Sequence, residues 1–85
     1  MSTQQEKILS YIRKQTEQLL KDDKIENNGV EASDITYTLG IDRANVSRYL
    51  NALWKNGSLI KVSGRPVFYL DYQTISNAYP DVFVT

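Results

Sequence analysis

Apolar residues recur at helical spacing in three successive segments of this 85-residue chain, and the period then shortens toward two. In the first segment Ile8, Tyr11, Ile12 and Leu19 fall on one stripe, while Glu6, Lys7, Arg13, Lys14, Glu17 and Gln18 lie mostly off it, the pattern of an amphipathic helix. Thr3-Gln4-Gln5-Glu6 has the form of a capping box, so the helix is expected to begin at Thr3 and run to about Lys21. The stripe thins around Gln15 and Thr16. The polar stretch KDDKIENNG then ends in Asn-Asn-Gly, residues that accept left-handed backbone; it reads as a connection with Ile25 turned inward.

A second, shorter helix is expected over Val30 to Leu39, with Ala32, Ile35 and Leu39 facing the core. Thr36 and Thr38 are poor helix formers, so tertiary packing must hold it. Gly40 follows its last apolar residue, where glycine commonly ends a helix. Asp42 is a good N-cap for a third helix, along which Val46, Leu50 and Leu53 repeat at i, i+4 and i+7 beside Tyr49, until Asn56-Gly57. SLIKVS and PVFYL, rich in β-branched and aromatic residues and separated by the Gly64-Arg65 turn region, predict a β-hairpin. Pro66 suits the start of a strand but not a centrally paired position. In DYQTISNAYPDVFVT a turn of helix is expected near Thr74 to Ala78, followed by an extended end.

This order resembles a winged helix-turn-helix: a mostly α fold of three helices with a small β-hairpin as the wing. The apolar positions that such a motif shares between its two helices are filled by Ile35, Leu39, Ile41, Val46 and Tyr49, with Gly40 at the turn. Two short helices crossing steeply share one small core, and the turn between them needs a residue free to adopt positive φ. Thr36 departs from the small residue, often alanine, that the motif usually has there. Residues 1–70 are read as the domain and residues 71–85 as a C-terminal tail or linker.

Composition narrows the chemistry. The chain has no cysteine and no histidine, which excludes disulfides, thiol chemistry, imidazole bases and the usual zinc sites. A domain this small needs nearly all its apolar residues for its core, leaving little for a pocket, so the chain is not expected to be an enzyme or to carry a cofactor. Asp22, Asp23 and Glu26 read as a solvated charge run, not a metal site. Trp54, Phe68 and Tyr69 read as core and hairpin packing. No apolar run approaches the roughly 20 residues that span a bilayer, and no secretory signal opens the chain; a cytoplasmic protein without membrane contact is expected.

The formal net charge is zero, which by itself argues mildly against nucleic acid. Yet residues 41–70 carry Arg43, Arg48, Lys55, Lys61 and Arg65 against Asp42 alone, whereas residues 1–40 hold five basic and seven acidic residues. The basic half is one contiguous segment. With Val46, Leu50 and Leu53 inward, the third helix turns Ala44, Arg48, Asn51 and Lys55 outward, with Ser47 beside them and Arg43 and Asn45 at its N-terminal end. Arginine can bond guanine O6 and N7 bidentately, asparagine can do the same with adenine, and a small Ala44 permits close approach. Arg43, Ala44, Asn45, Ser47 and Arg48 are therefore the candidate base-reading residues of a double-stranded DNA interface; Asn51 and Lys55, with Lys61 and Arg65 on the wing, are the candidate backbone contacts. A surplus of about four charges makes one copy a weak binder, so joined copies are expected. The alternative is a winged helix used for protein contact without DNA binding.

The string RANVSRYLNALWKNGSLIKVSGRPVFY is similar to the N-terminal DNA-binding domain of bacterial sigma-54-dependent activators of phosphotransferase-system sugar operons, the levanase and mannose operon regulator type. The likeness covers about residues 4 to 70 and is strongest from Arg43 onward. It implies a transcription regulator, oligomeric at full length, whose missing ATPase domain would contact sigma-54 RNA polymerase. This chain holds no G-x-x-x-x-G-K-[ST] phosphate loop. The resemblance thus implies an excised domain or a truncated relative, with Tyr79 to Thr85 as the start of a linker.

Overall fold

The structure, a computed structural model, describes residues 3–22 and 29–80. Helix α1 (Gln4–Lys21) is capped by Thr3, whose Oγ1 accepts from the Glu6 N–H at 3.1 Å, as the capping-box pattern predicts. Helices α2 (Ala32–Leu39) and α3 (Arg43–Lys55) follow, then strands β1 (Leu59–Val62) and β2 (Phe68–Asp71) and helix α4 (Tyr72–Ala78). The strands pair antiparallel, with Ile60 opposite Leu70 and Lys61 opposite Tyr69. The result is a winged helix: a helical core with a two-stranded wing.

The second helix begins later than its sequence pattern predicts. Val30 forms an isolated antiparallel bridge with Tyr69, exchanging N–H to O bonds of 2.9 and 2.8 Å. Tyr69 pairs with Lys61 as well, so β2 has a backbone partner on each side. Glu31, in extended backbone, is the N-cap of α2, and its N–H donates to Asp34 Oδ2 at 3.2 Å. Gly29 permits the bridge, because a Cβ there would lie 2.8 Å from Phe68 Cβ and 3.2 Å from the Tyr69 carbonyl oxygen. Residues 23–28, including the expected inward Ile25, lie outside the described residues.

Between α2 and α3, Gly40 adopts φ 67° and ψ 27° and its N–H donates to the Thr36 carbonyl at 3.0 Å, the left-handed C-cap that the turn requires. The core below the two helices joins Ile8 and Ile12 of α1 to Ile35, Ile41, Val46, Leu50 and Leu53, with Val30, Leu59 and Tyr69 on the sheet side. Leu39 and Tyr49, half-buried, pack against it. Burying these side chains is the main stabilising term, on the order of 1.5–3 kcal/mol for each large one.

The gap in the α1 stripe has a polar explanation. Thr16 is fully buried; its Oγ1 donates to the Ile12 carbonyl at 2.7 Å and accepts from the Asp71 N–H at 3.0 Å. Asp71 is buried too, and its carboxylate caps α4 by accepting from the Thr74 N–H at 2.9 Å and from Thr74 Oγ1 at 2.6 Å. Arg13 reaches the same carboxylate, with Nε 3.2 Å from Oδ2. A boundary at residue 70 therefore falls inside β2, and α4 packs on α1 with Ile75 buried. Helix α4 starts at Tyr72, two residues before the expected turn, because Asp71 caps it. Residues 81–85 lie outside the described residues.

Candidate nucleic-acid interface

Helix α3 is anchored by its apolar positions and by its cap. Val46, Leu50 and Leu53 are buried, and Asp42 Oδ2 accepts from the Ala44 N–H at 3.1 Å. Burial of one side leaves the other outward: Arg43, Ala44, Ser47, Arg48, Asn51 and Lys55 are exposed, and Asn45 is half-buried. Asp42 complements the positive end of the helix dipole and Lys55, in the last turn, the negative end.

Two of the outward residues are bonded to each other. Arg48 Nη2 donates to Asn45 Oδ1 at 2.7 Å, an i, i+3 contact on one helical face. The Arg48 guanidinium carbon also lies 5.5 Å from the centre of the Tyr49 ring. Arg43 borders a cavity of about 300 Å³ between the start of α2 and the base of the wing, lined also by Glu31, Ala32, Ser33, Pro66, Val67 and Tyr69. A second cavity, of about 460 Å³, lies between α1 and Leu39, lined by Glu6, Lys7, Ser10, Tyr11 and Lys14, apart from the outward face of α3.

On the wing, Arg65 is exposed in the loop between the strands, and its peptide bond to Pro66 is cis. Lys61, on β1, places its Nζ 4.6 Å from the centre of the Trp54 ring, within cation–π range. Trp54, expected in core and hairpin packing, meets the hairpin through Lys61 but stays 42% exposed at the end of α3. Tyr69 meets the expectation of core packing and Phe68 is half-buried. Burial pushes the Tyr69 phenol above its ordinary pKa by desolvation.

Three features escaped the sequence pattern. Tyr37, in the middle of α2, is 91% exposed; its only signal is an aromatic residue off the stripe of Ala32, Ile35 and Leu39. Thr36 Oγ1 is buried with no hydrogen-bond partner among the described residues, at the position that departs from the small residue of the motif. The Asn45–Arg48 bond was implicit in their spacing, but the choice between partner and base was not.

No helix among the described residues is long and apolar enough to cross a membrane. No family model matches the chain, and no solved structure does. The chain is similar to the transcriptional regulatory protein DagR of Salmonella typhimurium (strain 14028s / SGSC 2262), with 36% identity over 68 residues, or 80% of this chain. Those residues make up 7% of that relative's length, so the chain corresponds to a small part of a transcriptional regulatory protein.

Proposed function

We propose that this chain is a double-stranded DNA-binding domain of a bacterial transcription regulator, with the exposed face of α3 entering the major groove and the wing meeting the phosphate backbone. The observation that carries the reading is the outward row of Arg43, Ala44, Ser47 and Arg48, on a helix held by the Gly40 turn and flanked by a wing bearing Lys61 and Arg65. Arg43, Ala44, Asn45, Ser47 and Arg48 face base edges; Asn51, Lys55, Lys61 and Arg65 meet the backbone. The similarity to a transcriptional regulatory protein supports the regulatory setting.

In its finer form the reading is a cytoplasmic sigma-54-dependent activator of a sugar phosphotransferase operon, assembled as an oligomer that raises the effective concentration of this weakly charged domain. The support for that subtype is the string from Arg43 to Tyr69. The domain itself performs no catalysis. Selection from a random duplex library with a tethered dimer of the chain, followed by anisotropy titration, tests the reading; enrichment of one motif with an affinity that falls as salt rises is expected. Absence of binding to any duplex at low salt would overturn it in favour of a protein-contact module, for which the exposed Tyr37 on α2 is the relevant surface.

A further inference from the structure

We infer that Asn45 is a positioning residue for Arg48 and not an adenine reader, so that the two side chains form one guanine-selecting unit. The inference rests on the groove reading of α3 proposed above. Arg48 Nη2 lies 2.7 Å from Asn45 Oδ1. A guanidinium has five N–H donors and no acceptor, so the amide oxygen, and not the amide nitrogen, must face it. Bidentate recognition of adenine needs both amide atoms, the oxygen to accept from N6 and the nitrogen to donate to N7. Here one of the oxygen's two lone pairs is taken by Arg48, so adenine N6 would have to share that oxygen with a guanidinium N–H, whereas the Nδ2 donor is not engaged by Arg48.

Arg48 loses little by the arrangement. One of its five N–H groups is used, leaving a complete fork for guanine O6 and N7. It is held at two places, by the amide of Asn45 and beside the ring of Tyr49, 5.5 Å from the guanidinium carbon. A long side chain that is already oriented gives up less rotamer freedom on binding, so the bond sharpens guanine selection by Arg48. Outward, the Arg48 fork presents donors only: guanine, with two acceptors, satisfies it, while the N6 donor of adenine and the N4 donor of cytosine do not. The neighbouring base pair under Asn45 need only present an acceptor, which every base pair does in the major groove, so no adenine is required there.

The test uses wild type, Asn45→Ala, Asn45→Asp and Arg48→Ala on the duplex selected by wild type and on its single-base variants. Asn45→Ala is expected to lower discrimination at the guanine under Arg48 by at least about fivefold. Asn45→Asp keeps an oxygen acceptor, so guanine discrimination should survive while affinity for every duplex falls, since a carboxylate is added near phosphates. In the DNA-free protein, separate 15Nη signals from Arg48 should be seen in wild type and Asn45→Asp and should coalesce in Asn45→Ala. Unchanged guanine discrimination in Asn45→Ala, with loss of an adenine preference at the next pair, would overturn the inference while leaving groove reading intact. Averaged Nη signals in free wild type would overturn it without reference to DNA. Failure of all four proteins to bind any duplex would remove both the groove reading and the reader role built on it, whatever the Nη signals do.

Discussion

Thr16 and Asp71, 55 positions apart, are joined by a buried bond in which the Asp71 N–H donates to Thr16 Oγ1 at 3.0 Å. The same hydroxyl returns its own proton to the Ile12 carbonyl, so one side chain stitches α1 to the end of β2. Replacing Thr16 by valine preserves the shape and strands a buried amide. A loss of about 1–3 kcal/mol in urea unfolding is expected, with faster hydrogen exchange at the Asp71 amide. A change within about 0.5 kcal/mol, the size of an ordinary surface substitution, would show that the bond contributes nothing.

Thr36 presents the opposite case. Its Oγ1 is buried without a partner among the described residues, so the hydroxyl costs desolvation that none of them returns. Thr36→Val removes the hydroxyl at nearly constant shape and is expected to stabilise the domain by roughly 1 kcal/mol. In a domain of this size that is a rise in Tm of about 4–8 °C. A lower Tm would mean that the hydroxyl is satisfied in solution.

Gly29 sits where the backbone approaches β2 too closely for a side chain. A Cβ there meets Phe68 Cβ, the root of that side chain and not its flexible end, at 2.8 Å. Gly29→Ala is therefore expected to destabilise by about 1–3 kcal/mol through forced displacement of the bridge to Tyr69. Loss of protection at the Val30 and Tyr69 amides is the accompanying signal, and normal protection there would contradict the mechanism.

Burial raises the Tyr69 pKa above its unfolded value, which is near 10. The folded state thus favours the neutral phenol: the contribution to stability is complete below pH 10 and is lost as pH climbs through the raised folded value. The difference in unfolding free energy between wild type and Tyr69→Phe should be constant from pH 6 to 9 and change only above pH 10. A difference that varies near neutrality would point to another group.

Arg48 and Arg65 should fail in different ways if α3 reads bases and the wing meets phosphates. Arg48→Ala is expected to cost roughly 1–3 kcal/mol on the selected duplex and to relax its base preference. Arg65→Ala should weaken every duplex alike and reduce the salt slope by about one. Equal losses from both on all sequences would remove the assignment of α3 as reader.

Much of this architecture is legible in the chain because single residues carry strong local physics. Gly40 marks the αL turn, Asp42 the start of α3, and the shift of period after Gly57 the wing. What escapes is decided by tertiary partners. One bridge residue has no period of its own, so Val30 reads as helix until Tyr69 is placed beside it. Glu31 and Asp34 reverse the usual order of a capping box, which hides the true start of α2. Thr16 looks like a defect in a stripe because its partner lies at the far end of the chain. At the candidate interface, spacing places Arg48 and Asn45 on one face, but only geometry shows that they occupy each other.

Trp54 is the chain's single tryptophan, and its ring carries Lys61 at 4.6 Å. The fold thereby contains its own optical gauge of the wing: indole emission responds to a cation over its face, and this cation is the residue assigned to backbone contact. When Lys61 leaves the ring for a phosphate the emission should shift, so engagement of the wing can be timed by stopped flow in the unlabelled domain and separated from the entry of α3.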